Sequence, residues 1–187
     1  MFWLIFISTI IIFSFGIGAF IGAPWVPAFE QDFDELLTKA KVGKGTEFID
    51  LGCGNGKVLE AAAKRGAIVT GYEINPVLWL VSWWRVRSYP NASVWIGNMW
   101  GVHLDHYDVV FLFLIHHHMP RMARKLSHSL KPNARVISYV YEFPGIKPSH
   151  KTRNSFLYQA KAFGTIDTKV LPKKNSGLQK TKSKHTK

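Results

Sequence analysis

The feature that most constrains this chain is a ten-residue run, Glu47-Phe48-Ile49-Asp50-Leu51-Gly52-Cys53-Gly54-Asn55-Gly56, in which a short apolar strand meets three glycines at alternate positions. Glycine lets a backbone turn sharply and approach a ligand with no Cβ in the way. A helix-compatible stretch, Lys57 to Lys64, comes next, and the first amides of such a helix present unpaired N–H groups to whatever the turn encloses. Ala67-Ile68-Val69-Thr70-Gly71-Tyr72-Glu73 then reads as a second strand that ends on an acid, 23 residues after Asp50. Strand, glycine turn, helix and strand in this order predict a parallel β-α-β unit with a ligand site at the carboxyl edge of its sheet.

The central region continues the alternation. Phe33, Leu36, Leu37 and Ala40 fall at helical spacing in a helix expected from Asp32 to Lys41, which Gly43 and Gly45 end. Pro76 opens another helix, continued by Leu78 to Val86. On it Trp79 and Trp83 are four residues apart and are expected on the core face, with Trp84 at a membrane interface as the alternative to packing. Ser93–Ile96, Tyr107–Leu114 and Ala134–Tyr141 read as strands, with a helix from about Pro120 to Leu130 and a turn at Lys131-Pro132-Asn133 between the last two. Strands apolar on both faces and separated by helices imply an α/β class, a doubly wound, mainly parallel sheet covered on both sides. Ser155–Ala162 and Thr165–Leu171, flanking Phe163-Gly164, are expected to close one edge as an antiparallel hairpin.

The acids narrow the ligand. Glu73 is placed to accept hydrogen bonds from a ribose diol, whereas Asp50, just before the first glycine, repels a pyrophosphate and suits an ammonium. The glycines fall as Gly-x-Gly-x-Gly rather than the Gly-x-Gly-x-x-Gly of dinucleotide sites. Glu47 to Gly56 followed by Gly71-Tyr72-Glu73 resembles the first two motifs of class I S-adenosylmethionine-dependent methyltransferases. The resemblance implies a Rossmann-like, seven-stranded-type methyltransferase sheet and S-adenosyl-L-methionine as cofactor, held by Asp50, Gly52, Cys53, Gly54, Gly56 and Glu73. It also implies that Asn98 and Met99, in Gly97-Asn98-Met99-Trp100 after the third strand, contact the adenine.

A narrower likeness comes from Gly22-Ala23-Pro24-Trp25-Val26-Pro27, which resembles the Pro-Phe-Val-Pro-Thr element of the protein lysine methyltransferases that act on ATP synthase and on the adenine nucleotide translocase, and of their small archaeal relatives. Trp25 stands where that element has Phe, and Ala28-Phe29 where Thr-Pro is expected; a rigid proline linker is the plainer reading. The likeness implies a lysine side chain as acceptor and Trp25 in its lining; Trp100 is expected there from its loop, and Tyr139, Tyr141 and Glu142 from their place at the end of the fifth strand. Adjacent histidines cannot converge on one metal ion, so in His116-His117-His118 a single ring, His116, is expected at the cleft, the others capping the next helix or meeting solvent; no metal centre is expected. Methylation of a lipid, quinone-like or other small hydrophobic molecule, and a non-catalytic cofactor-binding scaffold, are the alternative functions.

The ends differ from the middle. Met1 to Ala23 holds no charged residue and as a helix at ~1.5 Å per residue would cross a hydrocarbon core of about 30 Å. It lacks the basic start of a cleavable signal peptide, so a retained single transmembrane helix is expected. Lys39, Lys41 and Lys44 follow it, which places the domain on the cytoplasmic side. Residues 24–45 then form a preceding segment and helix, 46–168 the methyltransferase domain, and 169–187 a basic tail with seven lysines and no acid, expected to be disordered and attracted to anionic lipid. The net charge of +12 admits a nucleic-acid arm as well, but the membrane segment favours lipid. A single cysteine, Cys53, excludes a disulfide framework and a cysteine-based zinc module.

Overall fold

The computed structural model describes residues 30–164 together with Phe2, Trp3 and Thr9. Five parallel strands carry the sheet: β1 (Glu47–Leu51), β2 (Ile68–Glu73), β3 (Ala92–Ile96), β4 (Val109–Leu112) and β5 (Arg135–Tyr139). β6 (His150–Lys151) and β7 (Ser155–Gln159) complete a mixed seven-stranded sheet in the order β3-β2-β1-β4-β5-β7-β6, with β7 antiparallel to both neighbours. The central strands are buried on both faces, as parallel strands flanked by crossover helices must be.

One face is covered by α1 (Glu30–Lys39), α2 (Lys57–Lys64) and α3 (Pro76–Val86). The 3.6-residue spacing read in the sequence places Phe33, Leu36, Leu37 and Ala40 inward, where the Phe33 ring meets Phe111 edge-on at 6.4 Å. α2 buries Val58, Leu59, Ala62 and Ala63. The other face is covered by α4 (Met119–Ser129), which buries Met119, Met122, Ala123 and Leu126, and by the short α5 (Lys161–Gly164). Burying each large apolar side chain contributes about 1.5–3 kcal/mol, so the two layers together fix the sheet between them.

Several strands are shorter than the sequence pattern suggested. β4 begins at Val109, and Asp108 ahead of it ties the sheet from both backbone and side chain: its N–H donates to Glu47 O at 2.8 Å and its carbonyl accepts the Arg135 N–H at 2.9 Å, while its carboxylate accepts the Glu47 N–H at 3.0 Å and pairs with Lys131 Nζ at 2.5 Å. That pairing, with the Glu47 amide and despite partial burial, holds its carboxyl below the usual range. β5 ends at Tyr139 because Val140 turns into the left-handed region, φ 68°.

The hairpin expected from Ser155–Ala162 and Thr165–Leu171 is not formed that way. Ser155–Gln159 is an antiparallel strand, but its outer partner is His150–Lys151, and Phe163-Gly164 belongs to α5 instead of a turn. The reason is packing: Phe163 is fully buried in an aromatic cluster with Phe143 and Tyr158, ring centroids 5.0 and 5.7 Å away. Thr165–Leu171 lies outside the described residues, as do the tail 169–187, Trp25 with its proline element, and the expected membrane span apart from the three residues named above. Among the described residues no helix is long and apolar enough to cross a membrane.

Candidate functional site

The carboxyl ends of β1 and β2 form one wall of the site. Gly52 and Gly56 adopt φ of 93° and 78°, which only glycine reaches without strain, and thereby reverse the chain from β1 into α2. A Cβ at Gly52 would meet nothing within 4 Å, so the turn faces open space. Gly56 is the opposite case: it is buried against α3, and a Cβ there would lie 2.5 Å from Ser82 Oγ. Cys53, counted with the glycines in the sequence, turns its thiol into the core beside Ser82 at 3.5 Å; its N–H donates to Tyr72 O and its carbonyl accepts the Gly56 N–H.

The Glu73 carboxylate is fixed by two backbone donors. The Gly54 N–H reaches Oε2 and the Asn75 N–H reaches Oε1, each at 2.8 Å, leaving each oxygen a further lone pair. Asn75 in turn caps α3, its Oδ1 accepting from Val77 and Leu78 while Pro76 takes the first helical turn. Asp50 is buried, 2% exposed, and burial together with the neighbouring Glu73 charge pushes its carboxyl well above the usual range. No cation among the described residues is paired with either acid. A buried acid without a counter-charge, a clamped carboxylate with spare acceptors and an open glycine turn fit a ligand carrying a cationic group and a vicinal diol, which S-adenosylmethionine does.

The loop after β3 supplies the next side. Asn98 is exposed and its Oδ1 accepts the Trp100 N–H at 3.1 Å, which shapes the 3₁₀ turn Met99–Gly101. Met99 is buried against the α4 layer. Lys125, from α4, reaches under this loop and donates to the carbonyls of Trp100 and Val102 at 3.2 and 2.5 Å; burial lowers its ammonium pKa. Sequence reasoning missed Lys125, because one basic residue beside a helix's apolar stripe looks like any solvated lysine.

The third side lies at the ends of β4 and β5. His116–His118 form a 3₁₀ turn ahead of α4. His116 lines a pocket of about 590 Å³ together with Glu142 and the loop from Phe143 to Pro148, so two of the predicted acceptor residues come together. His117 is exposed, and His118 packs edge-on against Trp100 at 5.9 Å without making the side-chain cap that was expected. Trp100 is further covered by the Arg121 guanidinium at 3.9 Å. Tyr141 is half-buried against the core, and Tyr139 is buried against Phe33 and Phe113, so neither belongs to the residues lining this pocket. Val140, between them, was not singled out in the sequence: a β-branched residue held at φ 68° is strained, and strain of this kind concentrates at functional loops. Its N–H donates to Asn154 O, and Ser138 Oγ donates to Tyr141 O, which together impose the kink that presents Glu142.

Comparison with known proteins agrees with this geometry. Among solved structures, the RNA methyltransferase of Salinibacter ruber in complex with S-adenosyl-L-homocysteine superposes with a TM-score of 0.69 at 21% identity, covering 72% of this chain and 94% of that one. The human ATP synthase C-subunit lysine N-methyltransferase is 33% identical over 134 residues, 69% of this chain, and the chain spans little more than half of that relative, 56%. The protein-lysine N-methyltransferase of Saccharolobus islandicus (strain REY15A) is 32% identical over 137 residues, 67% of this chain and 81% of the relative. Residues 50–150, from the buried acid of β1 to the edge of the sheet, match the family described as the ANTKMT methyltransferase domain. The chain thus belongs to the ANTKMT methyltransferase domain family, within the S-adenosylmethionine-dependent methyltransferases.

Proposed function

We propose that this protein is a protein-lysine N-methyltransferase that works at a membrane surface. The observation that carries the proposal is the sharing of one sheet edge by two unlike sites: the cradle of Gly52, Glu73 and Asp50, and the pocket of His116 and Glu142. Glu73 would hold the ribose, Asp50 the cationic end of the cofactor, and the 98–99 loop the adenine. When bound, S-adenosylmethionine supplies a methyl group on a positively charged sulfur. The acceptor nitrogen must arrive with a free lone pair: a new N–C bond forms as the C–S bond breaks, and its electron pair returns to sulfur. Glu142 attracts the incoming ammonium, and a His116 ring nitrogen at the same pocket receives the proton that frees the lone pair. Alignment of the two reacting atoms is the main contribution of the fold.

The lysine preference follows the activity for which the archaeal and animal relatives are named. Membrane association follows the uncharged segment 1–23 and the net charge of +12, with the domain on the side marked by Lys39, Lys41 and Lys44. The test is transfer of tritiated methyl from the cofactor by the full chain in the presence of membranes. Label recovered as methyl-lysine in gel-resolved protein, reduced tenfold or more by Glu142→Gln with His116→Ala, is the expected result. Label in the organic extract alone would replace the protein acceptor by a lipid or quinone-like one, and cofactor binding without transfer to either would make the chain a scaffold.

A further inference from the structure

α3 is packed the wrong way round for a helix that only covers a sheet. Its fully buried positions are Ser82 and Val86, with Trp79 half-buried and its Nε1–H donating to Val94 O. Outward stand Leu80 (54% exposed), Trp83 (45%) and Trp84 (62%), with Arg87 completing an i, i+3, i+4, i+7 stripe on the solvent side. The expectation that Trp79 and Trp83 share the core face therefore fails for Trp83. The cause lies across the interface: Ser82 meets Gly56 of the glycine turn, an approach too close for a larger side chain there, so the helix seats on Ser82 and turns Trp83 beside it outward. Ile96 is exposed at the end of edge strand β3, and Trp95 is exposed on the opposite face of that strand, in register with Tyr72.

We propose that the α3 stripe is a bilayer contact, its indoles seated at the headgroup level of an anionic leaflet. Three observations choose this occupant over others. Tryptophan is the side chain that prefers the membrane–water interface, apolar ring inward and N–H toward water. The stripe carries its own cation: the Arg87 guanidinium lies over the Trp84 ring at 4.0 Å and donates to Trp84 O, and the chain as a whole is at +12, which complements anionic lipid. Finally, α1 and α3 lie in the same helical layer, and only six residues, or seven peptide steps, separate the end of the uncharged segment at residue 23 from the start of α1 at Glu30. That link spans at most roughly 24 Å, so a bilayer holding the segment lies within reach of this face and meets it at high effective concentration. Contact there would present the cleft at the neighbouring sheet edge at a set angle to the membrane, since the Gly97 N–H that opens the 98–99 loop donates to Glu73 O.

The inference rests on the membrane association proposed above, and its test separates the two. The full chain, carrying a nitroxide at Trp84→Cys and, separately, at His128→Cys on the exposed side of α4, is bound to phosphatidylcholine–phosphatidylserine vesicles; Cys53 is buried and escapes labelling. Collision rates with oxygen and with a water-soluble nickel chelate report depth. The expected result is oxygen exceeding nickel at position 84 and the reverse at 128. Nickel exceeding oxygen at both positions in vesicle-bound protein would overturn the bilayer contact while leaving membrane association standing. Failure of the full chain to bind vesicles would remove both. A position-84 label shielded from both collision partners and broadened by a second nitroxide would mean that another copy of the chain covers the stripe, which also overturns the proposal.

Discussion

Gly56→Ala and Gly52→Ala differ by a single methyl group at two left-handed positions of one turn, yet their consequences separate structure from binding. At Gly56 two costs add: the left-handed backbone, about 1–2 kcal/mol for a residue with a Cβ, and overpacking, about 1–3 kcal/mol, because the new atom lies 2.5 Å from Ser82 Oγ and 3.0 Å from Ser82 Cα. Moving the hydroxyl cannot relieve the second contact, since it is with backbone. The loss of about 2–5 kcal/mol is a large part of the 5–15 kcal/mol that holds a domain folded. Gly52→Ala carries only the backbone cost, because its Cβ enters open space, but that space is where the cofactor would lie. Urea unfolding of both variants, with calorimetric titration of S-adenosylhomocysteine, measures the two effects. The expected pattern is a large stability loss for Gly56→Ala, a loss of about 1–2 kcal/mol for Gly52→Ala, and abolished binding for Gly52→Ala under conditions where it is still folded. Equal stability losses, or wild-type affinity in Gly52→Ala, would refute the assignment of one glycine to helix packing and the other to the ligand.

Asp50→Asn should stabilise the ligand-free protein at neutral pH and abolish S-adenosylhomocysteine binding. The folded-state pKa of Asp50 is raised, so its cost to stability is absent below the unfolded value of about 3.9, grows as pH rises, and is complete above the folded pKa; urea midpoints of the two proteins should converge in acid, and a variant less stable than wild type at neutral pH would contradict this. Val140→Gly removes left-handed strain of about 1–2 kcal/mol against an entropic cost of about 0.5–1 kcal/mol, so the thermal midpoint should rise; no rise would mean that Val140 is unstrained. Lys125→Met strips the Trp100 and Val102 carbonyls of their half-buried donor, with an expected loss of about 1 kcal/mol by urea titration and weaker S-adenosylhomocysteine binding. Unchanged affinity would show that the amine does not brace the loop.

The wall of the site built by β1, the glycine turn, α2 and β2 was legible in the sequence because each decision there is local. Glycine alone tolerates the turn, short continuous apolar runs against 3.6-residue apolar spacing distinguish buried strand from helix, and an acid at the end of a parallel strand lies at the edge where ligands bind. The helix Lys57–Lys64 and the strand Glu47–Leu51 fall where their residues place them. Long-range choices were not legible. Whether Trp83 points inward depends on how near Gly56 draws α3, a distance set by residues 27 positions away in the chain. Whether Ser155–Gln159 pairs with the segment before or after it depends on Phe163 finding a place beside Phe143 and Tyr158. The meeting of His116 with Glu142 across one pocket, and of Lys125 with the loop after β3, likewise required the packed layers. The sequence by itself determined the β-α-β unit, since backbone sterics and apolar periodicity act over a few residues, and its kind of ligand came from Asp50, Glu73 and the motif resemblance they belong to. Tertiary structure alone decided which side chains face the acceptor pocket and which tryptophans face out, since those choices are settled by competition for volume between segments distant in the chain.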